Sequence, residues 1–107
     1  MSVAGFVVLY RWRLRPGSED AFVQAWSQRT EALLQVGSLG SRLHRGDDDL
    51  WYSYAQWPSD EVRHAAFERV LQGDEARREE AARRAMDDAI LEVLPEIILA
   101  PQADYLD

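Results

Sequence analysis

One pattern occurs twice in this chain and constrains it more than any other: an aromatic-rich apolar run that stops at a proline and passes at once into an acid-tipped helix start. The first copy reads Pro16-Gly17-Ser18-Glu19-Asp20-Ala21-Phe22 and the second Pro58-Ser59-Asp60-Glu61-Val62. Proline cannot extend a central strand, serine is a good N-cap, and carboxylates in the first turn suit the helix dipole. Two strand-helix units in tandem are therefore expected, and each helix must pack back on the sheet that its own strand joins.

The flanking residues fill in the remaining elements. Residues 6–14 are rich in β-branched and aromatic types, with Phe6, Val8, Tyr10, Trp12 and Leu14 on one face and Val7, Leu9, Arg11 and Arg13 on the other. From Ser18 to about Val36 the residues Phe22, Ala25, Trp26, Arg29 and Leu33 recur at helical spacing, and Gly37 ends the run. A strand over 39–45, the turn Gly46-Asp47-Asp48-Asp49 and a strand over 50–57 make a hairpin. Ser59 opens a helix with Val62, Ala66, Phe67, Val70 and Leu71 as its apolar stripe, and Gly73 punctuates it. Asp74 can cap a third helix from Glu75 to about Leu91, with Glu79 to Arg83 and Glu80 to Arg84 as surface i,i+4 pairs. Pro95 then leads into a last strand over 96–100. The order β-α-β-β-α-α-β predicts an α+β chain of the ferredoxin-like, split βαβ type. One four-stranded antiparallel sheet would carry its helices on a single face. The other face bears enough bulky apolar groups to favour closure against a second copy.

Composition narrows the function. The 107 residues fit one domain, 1–107, with a sizeable core. There is no cysteine, hence no disulfide framework, cysteine metal site or thiol nucleophile, which suits a reducing cytoplasmic setting. Lysine and asparagine are also absent, and the formal charge of -7 opposes phosphate neutralisation, so no nucleic-acid partner is expected. No apolar run is long enough to predict a membrane span or a secretory signal. No Walker loop, dinucleotide fingerprint or serine-hydrolase elbow occurs. The acidic run at 47–49 lacks the alternating ligands of a calcium loop, and the two histidines lack zinc-ligand spacing, so no metal is expected.

Arg-Pro-Gly at 15–17, Phe22 and Trp26, the run Gly40-Ser41-Arg42-Leu43-His44-Arg45, and Ala55-Gln56-Trp57-Pro58-Ser59 together resemble the antibiotic biosynthesis monooxygenase-like domains of the dimeric α/β-barrel superfamily. The likeness spans nearly the whole chain. It implies a homodimer and a cofactor-free oxidation of an electron-rich aromatic, quinol or polyketide-like substrate by molecular oxygen. A deprotonated phenol or enol can donate an electron to oxygen, so such an enzyme needs a base, an aromatic pocket and a few donors. The oxygenases of this kind, the haem-degrading branch included, resemble one another in using a pocket asparagine. This chain has none, which leaves Gln56 or an arginine to replace it.

Hairpin pairing about Asp48 would set His44 against Tyr52 and Arg42 against Tyr54, with Gln56 on the same face. That set offers a base, two phenols and a cation, and could equally be the polar lining between two sheets. His64, near the start of the second helix, is the other candidate base. Trp26, Trp57, Phe22 and Phe67 are the expected pocket walls. The rival expectation is a non-catalytic ligand-binding or structural protein on the same scaffold. An open cavity with a histidine in its wall would favour the enzyme, and a solid interior the rival.

Overall fold

The computed structural model describes residues 4–72 and 75–106. Its elements are β1 (Phe6–Leu14), α1 (Glu19–Leu34), β2 (Gly40–Arg45), β3 (Trp51–Trp57), α2 (Asp60–Val70), α3 (Ala76–Ala89) and β4 (Ile90–Leu99). The strands form a four-stranded sheet in the order β2-β3-β1-β4. All three pairings are antiparallel. This is the ferredoxin-like α+β arrangement that the tandem units imply. The predicted Gly73 break and Asp74 cap lie outside the described residues.

Local chemistry accounts for most of the boundaries. Ser59 caps α2 as expected, its hydroxyl accepting from the Val62 N–H at 3.2 Å. Ser18 occupies the corresponding place before α1, but its side chain makes no capping bond; its carbonyl accepts from Phe22 at 3.0 Å instead. In the hairpin turn Asp49 adopts a left-handed conformation with φ 63°, and the Asp48 carboxylate accepts from the Leu50 N–H at 3.0 Å. Aspartate tolerates that conformation better than bulkier residues do, so this acidic run is turn chemistry.

The last strand departs most from expectation. It begins at Ile90, directly after the helix, rather than at Glu96 beyond Pro95. Two irregularities in the β1–β4 ladder allow this, one between Leu9 and Arg11 and one between Arg13 and Leu14. Leu9 pairs with Ile97 but Arg11 with Leu94, so an extra β4 residue is absorbed beside Tyr10, where Pro95 and Glu96 stand. Proline is tolerated there because β4 is an edge strand and the bulge needs no ladder bond from it. Arg11 Nη2 donates to the Pro95 carbonyl at 2.9 Å. The bulge also turns both Val93 and Glu96 toward the helices, which strict alternation over three residues would forbid.

Two apolar clusters join the layers. Trp12, Phe22, Ala25, Met86 and Ala89 lock α1 and α3 onto one end of the sheet, with Phe22 edge-on to Trp12 at 5.2 Å and to Trp51 at 6.0 Å. Val8, Ala55, Trp57 and Ala66 join α2 to the other end. Phe22 is fully buried. Phe22→Ala should therefore lower the unfolding free energy by about 3–5 kcal/mol, read from urea denaturation followed by circular dichroism.

Candidate active site

Between the two clusters the helices stand off the sheet and leave a cavity of about 580 Å³. Its floor is the covered face of β1 and β3, where Tyr10, Trp12, Ser53, Ala55 and Trp57 follow the two-residue period. Its walls come from Trp26, Arg29 and Leu33 of α1, Arg63, His64 and Phe67 of α2, and Glu79 and Met86 of α3. Tyr10 stacks on Trp12 at 5.9 Å and Trp57 tilts against Phe67 at 6.0 Å. The lining is thus mainly aromatic, with polar groups at a few points, as ligand cavities generally are.

Each polar group has a defined setting. Trp26 Nε1 donates to Ser53 Oγ at 3.0 Å and so ties α1 to β3. Arg29 Nε donates to Glu79 Oε1 at 2.8 Å, joining α1 to α3. Arg63 is a hub: Nε donates to Asp60 Oδ1 at 3.1 Å, Nη1 to the Tyr10 hydroxyl at 2.8 Å, and Nη1 lies 3.5 Å from Glu96 Oε2. The guanidinium also sits 5.6 Å from the Phe6 ring centroid. His64 Nε2 lies 3.3 Å from Asp60 Oδ1, its ring largely in solvent at the cavity wall. Trp57 Nε1 is buried and has no hydrogen-bond partner.

Burial pushes the Tyr10 hydroxyl above the usual tyrosine value, against the pull of the Arg63 guanidinium, and Glu96 adds to the rise. Tyr10 is therefore a neutral phenol at physiological pH. Because the folded value exceeds the unfolded one, its contribution to stability is intact below about pH 10 and fades as pH rises through the folded value.

The structure divides the residues that the sequence singles out. Trp26, Trp57, Phe67 and His64 meet in the cavity. Phe22 lies in the core cluster beside Trp12, not on the cavity lining. The hairpin register is as expected, with His44 opposite Tyr52 and Arg42 opposite Tyr54, but strand alternation carries these four and Gln56 to the helix-free face. They do not join His64. The Tyr52 hydroxyl is instead hydrogen-bonded to Asp48, which raises the phenol's pKa and holds the carboxylate below its usual range. Tyr54 and Gln56 border a second hollow of about 400 Å³ on that face, closed in part by the C-terminal stretch around Pro101 and Leu106.

The site also contains Glu79, Arg63 and Tyr10. Glu79 is not an exposed partner of Arg83. It is 6% exposed and paired with Arg29, whereas Glu80 and Arg84 do form their surface bridge at 3.1 Å. Arg63 stands four residues before Phe67 and seven before Val70, so helical spacing places it on the cavity face. Tyr10 shares the Trp12 face by alternation.

The profile of the antibiotic biosynthesis monooxygenase family matches residues 5–79, and the chain belongs to that family. Among solved structures, it is similar to a Streptomyces coelicolor monooxygenase from the gene ActVA-Orf6, in complex with nanaomycin D. The TM-score is 0.70 with 22% identity, covering 97% of this chain and 93% of that one. It is also similar to SnoaB, a cofactor-independent oxygenase from Streptomyces nogalater, with TM-score 0.68, 13% identity and coverage of 98% and 100%. Rv0793 from Mycobacterium tuberculosis aligns with TM-score 0.69 at 13% identity, over 97% and 100% of the two chains. No curated protein matches the sequence.

Two outcomes follow from this geometry. Glu79→Gln leaves the Arg29 charge half-buried without its counter-ion and should cost about 3 kcal/mol in urea denaturation, whereas Glu80→Gln should cost under about 0.5 kcal/mol. The parent should lose stability progressively above about pH 10, and Tyr10→Phe should flatten that part of the profile, followed by thermal melts at stepped alkaline pH.

Proposed function

We propose that this protein is a monooxygenase that oxidises an electron-rich aromatic, a quinol or polyketide-like ring system, with molecular oxygen and no bound cofactor. The carrying observation is the aromatic-walled cavity of about 580 Å³ with His64 and the Tyr10–Arg63 pair on its lining. Family membership and the likeness to SnoaB and to the ActVA-Orf6 monooxygenase support the reading.

The chemistry asks little of the protein beyond binding and proton transfer. His64, with Asp60 on Nε2, is the base that takes a proton from a substrate entering past it. The resulting anion lies among the rings, where the Tyr10 hydroxyl is a donor. The electron-rich ring then reduces oxygen. For an anthrone, a ring CH₂ and O₂ give a ring C=O and water, so the substrate itself supplies all the electrons. The serine at 53, hydrogen-bonded to Trp26, is a further polar group on the floor.

The active form, on this reading, is a cytoplasmic homodimer closed through the helix-free face, where His44, Arg42, Tyr52, Tyr54 and Gln56 line the contact instead of performing the chemistry. Ile97 and Leu99 are exposed on that face. Oxygen uptake with a panel of quinols and anthrones tests the activity. His64→Ala should cut turnover by about a hundredfold or more while His44→Ala leaves it near the parent level. Ligand binding without oxygen uptake would favour a non-catalytic binding protein, and a single-chain mass by light scattering at micromolar concentration would exclude the dimer.

A further inference from the structure

The direction of one hydrogen bond in the cavity has a chemical consequence. Arg63 Nη1 and the Tyr10 hydroxyl are 2.8 Å apart, and a guanidinium can only donate. The contact therefore occupies a lone pair of the Tyr10 oxygen and leaves the phenolic proton to point elsewhere. Among the described residues no group accepts that proton. Neither partner is free to rearrange at low cost. The Tyr10 ring is stacked on Trp12, and Arg63 is held by Asp60, Glu96 and the Phe6 ring from its own helix, from β4 and from β1. Its side chain is only 12% exposed.

We propose that the Tyr10 hydroxyl is the donor that receives the ionised oxygen of an aromatic ligand in this cavity, and that Arg63 is the positioning residue that turns the Tyr10 proton toward it. The proposal rests on the cavity being the substrate site and adds which oxygen-bearing form it selects. A fixed donor costs no reorganisation when the anion arrives, and a hydrogen bond to a charged acceptor is about twice as strong as one to a neutral acceptor. The titratable and charged groups facing Tyr10 are Arg63 on α2, Glu96 on β4 and Arg29 on α1, with Asp60 and His64 behind Arg63. Asp60 and Glu96 offset much of the guanidinium charge, and Glu79 engages Arg29, so anion preference falls chiefly to the Tyr10 proton.

The test uses 4-nitrophenol, whose phenol and phenolate absorb at different wavelengths and which the proposed oxidation does not consume. With protein in excess, the bound probe should ionise at lower pH than the free probe. Tyr10→Phe, which keeps the ring and its stack, should reduce the ratio of phenolate to phenol affinity about tenfold. Arg63→Gln should do the same with Tyr10 still present, and Arg63→Lys should restore part of the preference, an order that a purely structural role for Arg63 would not produce. Retention of the parent preference in Tyr10→Phe overturns the proposal, as does a parent protein that binds the probe without preference or fails to bind it. Oxygen uptake is measured separately. A parent that ionises the probe through Tyr10 yet consumes no oxygen would sink the monooxygenase reading and leave this one standing.

Discussion

The constraint on which the structure rests is the size of the rings on the covered side of the two central strands. Trp12 of β1 pairs with Trp51 of β3 at one end and Phe6 with Trp57 at the other, and between these ends the small β3 residues Ser53 and Ala55 face Tyr10 and Val8. The large groups at either end support the helices through Phe22 and Ala66, and the small side chains of Ser53 and Ala55 add little bulk to the floor between them. A close-packed interior would need bulk at 53 and 55. The cavity is therefore a consequence of residue volumes along one strand, and the Trp26 to Ser53 hydrogen bond fixes α1 above it.

Charged side chains then hold the walls in place. Desolvating an ion pair brings little net stability, so the Arg29–Glu79 and Arg63–Asp60 contacts are better understood as fixing geometry than as strengthening the fold. One ties α1 to α3 across the cavity. The other belongs to a network that spans α2, β1 and β4 and ends on the Tyr10 hydroxyl. The bulge beside Pro95 makes that network complete, because without it Glu96 would face away from the helices.

Much of the fold is legible along the chain. The strands 6–14, 39–45 and 50–57 and the helix starts after Pro16-Gly17 and Pro58 follow from alternation and turn residues, with side-chain capping added at Ser59 alone of the two, and the hairpin register follows from the turn at 46–49. The boundary between α3 and β4 is not legible, because Ile90 to Val93 suit either conformation and only pairing with β1 makes them a strand. The site is legible in part. Trp26, Trp57, Phe67 and His64 could be named from residue type and spacing, while Glu79 reads as a surface charge because its partner Arg29 lies 50 residues away in sequence. His44, Tyr52 and Arg42 form the cluster that pairing predicts, but pairing alone does not say which side the helices take.

The sequence by itself determined the order of elements, the residues shared by each strand face and the family to which the chain belongs, since these depend on periodicity, turn chemistry and residue type over short stretches. Only the tertiary structure decided which face the helices cover, and with it that His64 and not His44 joins the cavity. It also decided that Arg63 meets Tyr10, which lies 53 residues earlier in the chain. The physical reason is that burial and hydrogen-bond direction are properties of groups brought together across the fold, and no local pattern records them.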